Sequence, residues 1–307
     1  MTTRKDFLWA AGMAAMVAGC RSAESICAKK GGNWRFAMNP PTIRGYNCSL
    51  REQVKLSIAA GYDGIEPWLS DLQKAKAAGE LADIRKMCED GNLAIVNGIG
   101  FAHWAMPDPA ARAKGLEEMK RDMALVAEMG GAFIAAPPFG LQKPGSPKVS
   151  LDAFAEYYRA VLELGDRMGV TPILEFWGHS ANLSRLNEAL YVVAASGHPR
   201  AAILGDVYHM WRGGSPYEGL RFLTPSTFPV LHMNDVPATP AAPLLTDADR
   251  VWPGDGVAPW RQIFGIMNEV GLRPWLSVEL FNPNYWKTTA LETLKTGLAK
   301  MRRVAVG

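Results

Sequence analysis

The stretch Val230-Leu231-His232-Met233-Asn234-Asp235 is an apolar, strand-like run that ends in polar side chains. Gly205-Asp206-Val207-Tyr208-His209 has the same character, and so do Pro172-Ile173-Leu174-Glu175 and Trp275-Leu276-Ser277-Val278-Glu279. In a β/α barrel, side chains at the carboxyl ends of the strands meet at one face, where binding sites are built. Four strands that each deliver one acid or imidazole therefore predict a barrel with a site at that face.

The remainder of the chain repeats the same unit of a strand followed by a helix. Segments of helical periodicity alternate with four further apolar runs, at residues 34–38, 64–66, 93–99 and 132–136. Ser49-Leu50-Arg51-Glu52 has the capping-box pattern that opens a helix, and Gly61 ends it. One polar helix is expected over residues 70–90. This unbroken alternation predicts an α/β protein with a single (β/α)8 TIM barrel over residues 33–307.

An open, doubly wound sheet is the alternative arrangement of alternating strands and helices. It requires a glycine-rich loop after the first strand to hold a phosphate, and Asn39-Pro40-Pro41-Thr42 occupies that position. Two connections, over residues 137–149 and 235–258, are long for a compact domain. Both follow strands, so a barrel would place them over the face that carries the site.

Residues 1–20 have the pattern of a bacterial export signal. Arg4-Lys5 precedes an apolar run of small residues, and Val17-Ala18-Gly19-Cys20 resembles a lipobox in which Cys20 is lipidated. The order Arg-Lys-x-Phe-Leu resembles a twin-arginine signal with lysine in the second position. The apolar run is short for a membrane span of ~20 residues, which argues against the alternative of an uncleaved anchor. We therefore expect an exported, periplasmic or membrane-anchored lipoprotein, with residues 21–32 as its linker.

Composition narrows the classes of partner. The chain has 307 residues, of which 48% are hydrophobic and 21% charged, and a formal net charge of +3. No basic stretch is dense enough to bind a phosphate backbone, so nucleic acid is not expected as a partner. The four cysteines lack CxxC spacing, which supports neither a disulfide framework nor a structural zinc site. Membrane contact is expected only through the lipid anchor. The composition is compatible with a homo-oligomer.

Four strand-end residues form a candidate metal site: Glu175, Asp206, His232 and Glu279. Singly, an acid at a strand end is often a surface group, and a lone histidine is more often structural than a ligand. Together on four successive strands they indicate one divalent cation. Three carboxylates and one imidazole favour Mn²⁺, with Mg²⁺ or Co²⁺ also suitable and Zn²⁺ less well matched in the absence of thiolates.

Other side chains near the same strand ends are candidates for substrate contacts. His209 follows Asp206 by three residues and either polarises a substrate oxygen or orients Asp206. Five tryptophans predict an aromatic pocket suited to the C–H faces of sugars: Trp68, Trp104, Trp177, Trp211 and Trp252. Candidate polar contacts in the same zone are Glu66, His103, His179, Arg250 and Asp255. Core packing is the ordinary alternative for each tryptophan taken singly, and a structural role is the ordinary alternative for each polar residue.

The motifs resemble those of the xylose isomerase-like TIM-barrel superfamily, and within it the sugar phosphate isomerase/epimerase branch. The resemblance covers about residues 34 to 303 and rests on six strings: Gly61-Tyr62-Asp63-Gly64-Ile65-Glu66, Leu174-Glu175, Asp206-Val207-Tyr208-His209, Leu231-His232-Met233-Asn234-Asp235, Pro253-Gly254-Asp255-Gly256 and Ser277-Val278-Glu279. It implies that the four strand-end residues hold one divalent ion. It also implies that Glu175 and Glu279 act as acid and base, and that His209 contacts substrate oxygens near the metal.

Two differences from the motifs of this superfamily narrow the activity that we expect. Endonuclease IV-type members bind three zinc ions and carry an Asp-Arg-His string, whereas the corresponding stretch here is Asp249-Arg250-Val251-Trp252. Val251 offers no ligand atom, so a trinuclear nuclease is disfavoured. Ketose 3-epimerases bind substrate with a second acid shortly after the first glutamate, where this chain has Ala181 and Asn182. The resemblance therefore does not extend to the specific 3-epimerase pattern.

The resulting hypothesis is a metal-dependent isomerase or epimerase that removes a proton beside the carbonyl group of a sugar or keto-sugar. The same proton removal can expel a group from the β-carbon, so a lyase or dehydratase acting on a keto-sugar or 3-keto-glycoside is one alternative. A non-catalytic sugar-binding barrel is the other. In each case the partner is a small carbohydrate.

Overall fold

The computed structural model describes residues 34–306, and the expected export signal, the linker and Cys20 lie outside that range. Within it, eight parallel strands form one sheet: β1 Arg35–Met38, β2 Gly64–Ile65, β3 Ala94–Ile95, β4 Phe133–Ala136, β5 Thr171–Glu175, β6 Ile203–Asp206, β7 Val230–Met233 and β8 Trp275–Val278. Their order is β3-β2-β1-β8-β7-β6-β5-β4. The two ends meet through a parallel bridge between Gly98 and Ile134. The sheet therefore closes into the predicted barrel.

Helices occupy the connections between the strands. The described residues contain nine α-helices: α1 Leu50–Ala60, α2 Leu69–Ala77, α3 Leu81–Asp90, α4 Pro109–Glu128, α5 Leu151–Met168, α6 Leu186–Ser196, α7 Val207–Gly213, α8 Trp260–Glu269 and α9 Ala290–Ala305. The predicted capping box opens α1, where the Glu52 carboxylate accepts from the Ser49 N–H at 2.7 Å. Gly61 ends α1 at φ +88°, a left-handed conformation that glycine adopts without strain. Both predicted ends of this helix are confirmed.

Two elements differ from their predicted bounds. The polar helix expected over residues 70–90 is two helices, α2 and α3, because Gly79 turns the chain between them at φ +72°. β3 has two residues, whereas a strand was expected over residues 93–99. Beyond β3 the pairing continues only as single bridges, from Gly98 to β4 and from Ile99 to Trp68. The apolar run over residues 93–99 therefore predicted a longer β3 than the structure has.

The barrel interior is built in two layers. Its amino-terminal part is filled by an apolar cluster that includes Ala37, Ile173, Leu204, Val230 and Trp275. Alternate residues of a strand point to the same side. Two positions further along the same strands the chain has Asn39, Glu175, Asp206, His232 and Ser277. The fold therefore places a polar layer directly above an apolar one, at the carboxyl ends of the strands.

The outward faces of the strands pack against the helices in a larger hydrophobic core. Cys48 is half-buried and Cys88 is buried, and both are free thiols. Along residues 34–306, every helix is too short or too polar to cross a membrane.

One buried acid in the helical layer, Asp122, forms no salt bridge with any residue that the structure describes. Asp122 of α4 is buried and accepts a hydrogen bond from Gln73 at 3.2 Å. Burial, reinforced by Glu118 and opposed by the bond from Gln73, raises the pKa of Asp122 to about 6. A carboxyl whose pKa is higher in the folded state stabilises the fold only while it is protonated. Stability is therefore lost as pH rises from about 4, the unfolded pKa, to about 6.

We expect Asp122→Asn to be more stable than the wild type by about 1–2 kcal/mol at pH 8, because the amide keeps the acceptor for Gln73 without a buried charge. At pH 5 the advantage should shrink to roughly half, since the wild-type carboxyl is then mostly protonated. Urea unfolding of both proteins at the two pH values measures this. An equal difference at pH 5 and pH 8 would contradict the raised pKa.

Candidate active site

A cluster of ionisable groups lies at the carboxyl ends of β6, β7 and β8. Asp206 and His232 are direct partners in the β6–β7 ladder, and Glu279 immediately follows β8. One side-chain atom from each of the three lies within 4.8 Å of the others, an arrangement that could hold a metal ion. His232 Nδ1 is 3.3 Å from Glu279 Oε2 and 3.7 Å from Asp206 Oδ2. All three side chains are buried.

Glu175 ends β5 beside this cluster but is not one of the three residues within that mutual distance. Burial raises the pKa of Glu175 to about 8, with Glu279 and Asp206 acting in the same direction and His232 opposing them. The structure thus brings together three of the four expected ligands. The fourth lies alongside as a carboxyl that is protonated at neutral pH.

Opposite charges balance one another within the cluster. Burial alone would lower the pKa of His232, but Glu279 and Glu66 raise it well above its ordinary value. Burial would raise the pKa of Asp206 and of Glu279, yet the positive groups His232 and Arg250 lower both. Buried charges are tolerated only when they are paired, so this cluster exists because acids and bases meet in it.

The donor set of the cluster fits a divalent cation. Two carboxylate oxygens and one imidazole nitrogen converge, and this oxygen-rich combination suits hard divalent ions. His232 Nδ1 has no hydrogen-bond partner among the described residues. A buried polar atom without a partner requires an explanation, and an ion bound at this point would supply one.

Arg250 lies inside the cluster, not on the wall of a pocket. Its Nη1 donates to Glu279 Oε2 at 2.7 Å and to Asp206 Oδ2 at 3.1 Å, the same two oxygens that face His232. Its Nη2 donates to Asp247 at 2.8 Å. A cation held by Asp206 and Glu279 must therefore share these oxygens with the guanidinium or displace it.

His209 is a buried imidazole next to the cluster. Its backbone N–H donates to Asp206 Oδ1 at 2.8 Å, and its Nδ1 accepts from the Gly178 N–H at 3.3 Å. Arg250 Nη2 faces His209 Nε2 at 3.4 Å, so both ring nitrogens face donors, and a neutral ring can accept at only one of them. Burial, opposed by Asp206, lowers the pKa of His209 to about 4. The ring thus remains uncharged at neutral pH.

Glu66 has a different position from the substrate-facing one expected from sequence. Its carboxylate is fully buried, accepts from Asn97 at 2.9 Å, and has its two oxygens 3.2 and 3.3 Å from His232 Nε2. The reason is that Glu66 directly follows β2, where the side chain points into the barrel interior. It lies behind the histidine.

Three buried amides that were not predicted from the sequence support the cluster. Each donates to one carboxylate: Asn39 to Glu279 at 3.0 Å, Asn234 to Asp206 at 3.0 Å, and Asn97 to Glu66 at 2.9 Å. Each asparagine follows or interrupts an apolar run. The rule that selected acids and histidines at strand ends would also have selected these residues had amides been included.

Aromatic side chains form a wall on the side of the barrel that carries Glu175. The half-buried Trp68 and Trp177 are joined there by Phe101 and Phe139, which the sequence analysis did not select. Ring centroids are 5.3 Å apart for Trp68–Phe101, 5.3 Å for Phe101–Phe139 and 6.2 Å for Phe139–Trp177. These rings follow β2 to β5 in order, so the wall is continuous.

The other three tryptophans expected in the pocket lie elsewhere. Trp104 is fully buried and donates to a backbone carbonyl, and Trp252 stacks on Tyr285 at 4.6 Å. Core packing is therefore the correct interpretation of both. Trp211 of α7 borders a separate, largely apolar cavity of about 490 Å³ together with Tyr217. Its position after β6 is as expected, but the cavity that it borders is not lined by Asp206, His232 or Glu279.

The remaining polar candidates lie at the rim or outside it. His103 is half-exposed on the loop after β3, with Nδ1 3.9 Å from Glu118. His179 stacks on Trp177 at 5.7 Å, at the end of the aromatic wall. Asp255 forms an ion pair with α9 and is not part of the pocket.

Comparison with known proteins agrees with this architecture. Residues 54–304 match the model of the family described as xylose isomerase-like TIM barrel. The inosose isomerase of Halalkalibacterium halodurans is 36% identical over 252 residues, covering 81% of this chain and 89% of the relative. The inosose isomerase of Bacillus velezensis is 27% identical over 252 residues, covering 81% of this chain and 90% of the relative. The chain belongs to the xylose isomerase-like TIM barrel family.

A solved structure shares the fold over nearly the whole described chain. The crystal structure of the IOLI protein with a binding zinc atom matches with a TM-score of 0.80 at 22% identity, covering 88% of this chain and 98% of that one. The predicted barrel and the resemblance to this family are confirmed.

Asp235, the last residue of the stretch from Val230 to Asp235, holds the long loop after β7 in place through hydrogen bonds. Its carboxylate is fully buried and accepts four hydrogen bonds of 2.7 to 2.9 Å, from the N–H groups of Val236, Gly254 and Ala258 and the indole of Trp260. Its backbone also pairs with Val251 in both directions. Val251 adjoins Arg250, so Asp235 sets the position of that guanidinium through the loop.

We expect Asp235→Asn to lose about 2–4 kcal/mol of unfolding free energy, because the new NH₂ group faces N–H donors and leaves them unpaired in the interior. Urea unfolding measures the loss. The matched control is Asp255→Asn on the same loop, whose partly exposed ion pair contributes at most about 1 kcal/mol. Equal effects of the two substitutions would show that the four buried hydrogen bonds do not hold the loop.

Proposed function

We propose that this chain is a divalent-metal-dependent isomerase or epimerase that acts on a sugar or keto-sugar by removing a proton beside the carbonyl group. The observation that carries the proposal is the buried group of Asp206, His232 and Glu279 at the carboxyl face of the barrel. Membership of the xylose isomerase-like family and the inosose isomerases among its relatives support it. An inosose is itself a polyhydroxylated cyclic ketone, so the proposed substrate class includes such ketones.

The proposed metal ligands are Asp206, His232 and Glu279, with Glu175 as the fourth. Three carboxylates with one imidazole favour Mn²⁺, and Mg²⁺, Co²⁺ and Zn²⁺ are the alternatives. A divalent ion in this place supplies positive charge that stabilises the negative substrate oxygens formed when the proton leaves. Glu175 gives up its own proton on joining such a set, since ligands bind a metal in their deprotonated form.

Glu175 and Glu279 are the proposed acid and base. β5 and β8 are separated by β6 and β7 in the sheet order, so the two carboxyls approach the Asp206–His232 pair from different directions. Their environments also push their acidities apart: burial raises the pKa of Glu175 to about 8, whereas His232 and Arg250 lower that of Glu279 despite its burial. These values distinguish the two carboxyls before a metal binds, and the proposed acid and base roles rest on their opposed positions around the cluster.

The proposed substrate contacts surround these carboxyls. His209 lies beside the cluster, with Nε2 3.4 Å from Arg250 Nη2, and is the proposed contact to a substrate oxygen near the metal. Arg250 adds positive charge on the same side. Trp177 presents a flat face suited to the C–H side of a sugar ring, and His103 lies at the rim. Glu66, Trp104 and Trp252 are not proposed as substrate contacts because their side chains are buried. Trp211 is not proposed as one because it lines the separate cavity.

Reaction in D₂O tests the proposal. The Mn²⁺-loaded protein is incubated with an inosose and with a 3-keto-glucoside, and the products are followed by NMR. We expect one deuterium at the carbon next to the carbonyl in a product that keeps all its oxygens. Loss of water or of an alcohol would instead establish the lyase. Binding without exchange by any keto-sugar would establish the non-catalytic barrel.

Glu175→Gln and Glu279→Gln should each lower the deuterium exchange rate by about 10²- to 10⁴-fold, the usual contribution of one general acid or base. Asp255→Asn is the control, because this acid lies outside the pocket. Wild-type exchange in both glutamine variants would remove these residues from the chemistry.

We further propose that the protein is exported as a lipoprotein, supported by Arg4-Lys5 and by Val17-Ala18-Gly19-Cys20. Cys20→Ala should abolish labelling by radioactive palmitate, whereas Cys27→Ala, the matched control seven residues on, should keep it. Replacement of Arg4 and Lys5 by alanine should leave the protein in the cytoplasmic fraction. Palmitate labelling of the Cys20→Ala protein would rule out this lipidation site.

A further inference from the structure

We infer that Glu66 is a positioning residue for the metal centre: it holds the His232 ring so that Nδ1 faces Asp206 and Glu279. The inference rests on the proposed metal function and adds to it a residue that is not itself a ligand. Glu66 lies on the opposite side of the imidazole from the cluster, so it acts through the histidine.

The two ring nitrogens of His232 face different partners. Nε2 lies 3.2 and 3.3 Å from the two oxygens of Glu66. Nδ1 lies 3.3 Å from Glu279 Oε2 and has no hydrogen-bond partner among residues 34–306. A carboxylate oxygen can only accept, so Nε2 carries the proton that points at Glu66. In the neutral ring this leaves the lone pair on Nδ1, where the carboxylates of the cluster converge.

Glu66 is itself held in place. Its carboxylate is fully buried and accepts from Asn97 Nδ2 at 2.9 Å. β2 and β7 are separated by β1 and β8 in the sheet, so the contact between Glu66 and His232 crosses the interior of the barrel. The amino-terminal half of the barrel thereby orients a side chain of the carboxyl-terminal half, which carries the cluster.

The physical consequence concerns metal affinity. A carboxylate that accepts from the far nitrogen of a metal-binding histidine fixes its tautomer and ring orientation and makes the near nitrogen a stronger donor. Loss of such a partner typically weakens metal binding by about 10- to 100-fold. A purely structural carboxylate would alter stability without changing the metal's surroundings.

The experiment uses Co²⁺ as the probe, with its affinity measured by chelator competition and its visible absorption spectrum recorded. Glu66→Gln, Glu66→Ala and wild type are compared after their metal-free thermal stability has been measured. The matched control is Asp122→Asn, which also converts a buried carboxylate with one amide partner into an amide, in the helical layer. Asn97 Oδ1 has no partner in the described structure, so a turn of that amide would accommodate Glu66→Gln and keep it folded.

We expect the Co²⁺ dissociation constant to rise by about 10- to 100-fold in Glu66→Ala and by less in Glu66→Gln, which keeps an acceptor for His232. The cobalt spectrum should shift in both, and Asp122→Asn should match the wild type. Unchanged affinity and spectrum in folded Glu66→Gln and Glu66→Ala would overturn the inference while leaving the metal centre intact. An equal loss in Asp122→Asn would overturn it as well. If neither wild type nor Asp122→Asn binds Co²⁺, the proposed metal centre fails and the inference fails with it.

Discussion

The pairing of opposite charges at the carboxyl ends of the strands governs the candidate site. Asp206, Glu279 and Glu66 lie in the barrel interior with His232 and Arg250 as their only close positive partners among the described residues. In a low-dielectric interior such groups are stable only as a connected set, because removal of any one leaves another unpaired. The amides of Asn39, Asn97 and Asn234 complete the set by donating to the acids.

The barrel makes this set possible by geometry. Parallel strands lie about 4.8 Å apart, so residues in register on β6 and β7 bring Asp206 and His232 within reach of one another. The alternation of strand side chains keeps the apolar cluster below and the ionisable groups above. The loop after β7 supplies Arg250, which no strand carries. Hydrogen bonds to Asp235 hold this loop in place.

Burial and neighbouring charges give chemically identical groups different pKa values. Glu175 and Glu279 are both buried glutamates, yet the pKa of one is raised to about 8 by burial and that of the other is lowered by His232 and Arg250 in spite of burial. His209 stays neutral because burial outweighs its carboxylate neighbour. Environment, and not residue type, thus sets the acidity of each buried group before a metal binds.

Some of this could be read from local sequence. Alternating apolar runs and helical segments, the capping box at Ser49 and the acids at strand ends are short-range patterns, and the barrel they predict is the observed one. The positions of Glu66, Trp104 and Trp252 could not be read in this way. Each follows a strand, as the pocket residues do, but which side it faces depends on elements distant in the chain.

The amino-acid sequence alone therefore determined the class of fold and four polar strand ends, because strand periodicity is a property of neighbouring residues. Tertiary structure decided which of those ends converge, that Arg250 shares their oxygens, and that Glu66 lies behind His232. The contacts of Arg250 and Glu66 join residues separated by 29 to 166 positions. Closure of the barrel brings such residues together, and no local pattern encodes that closure.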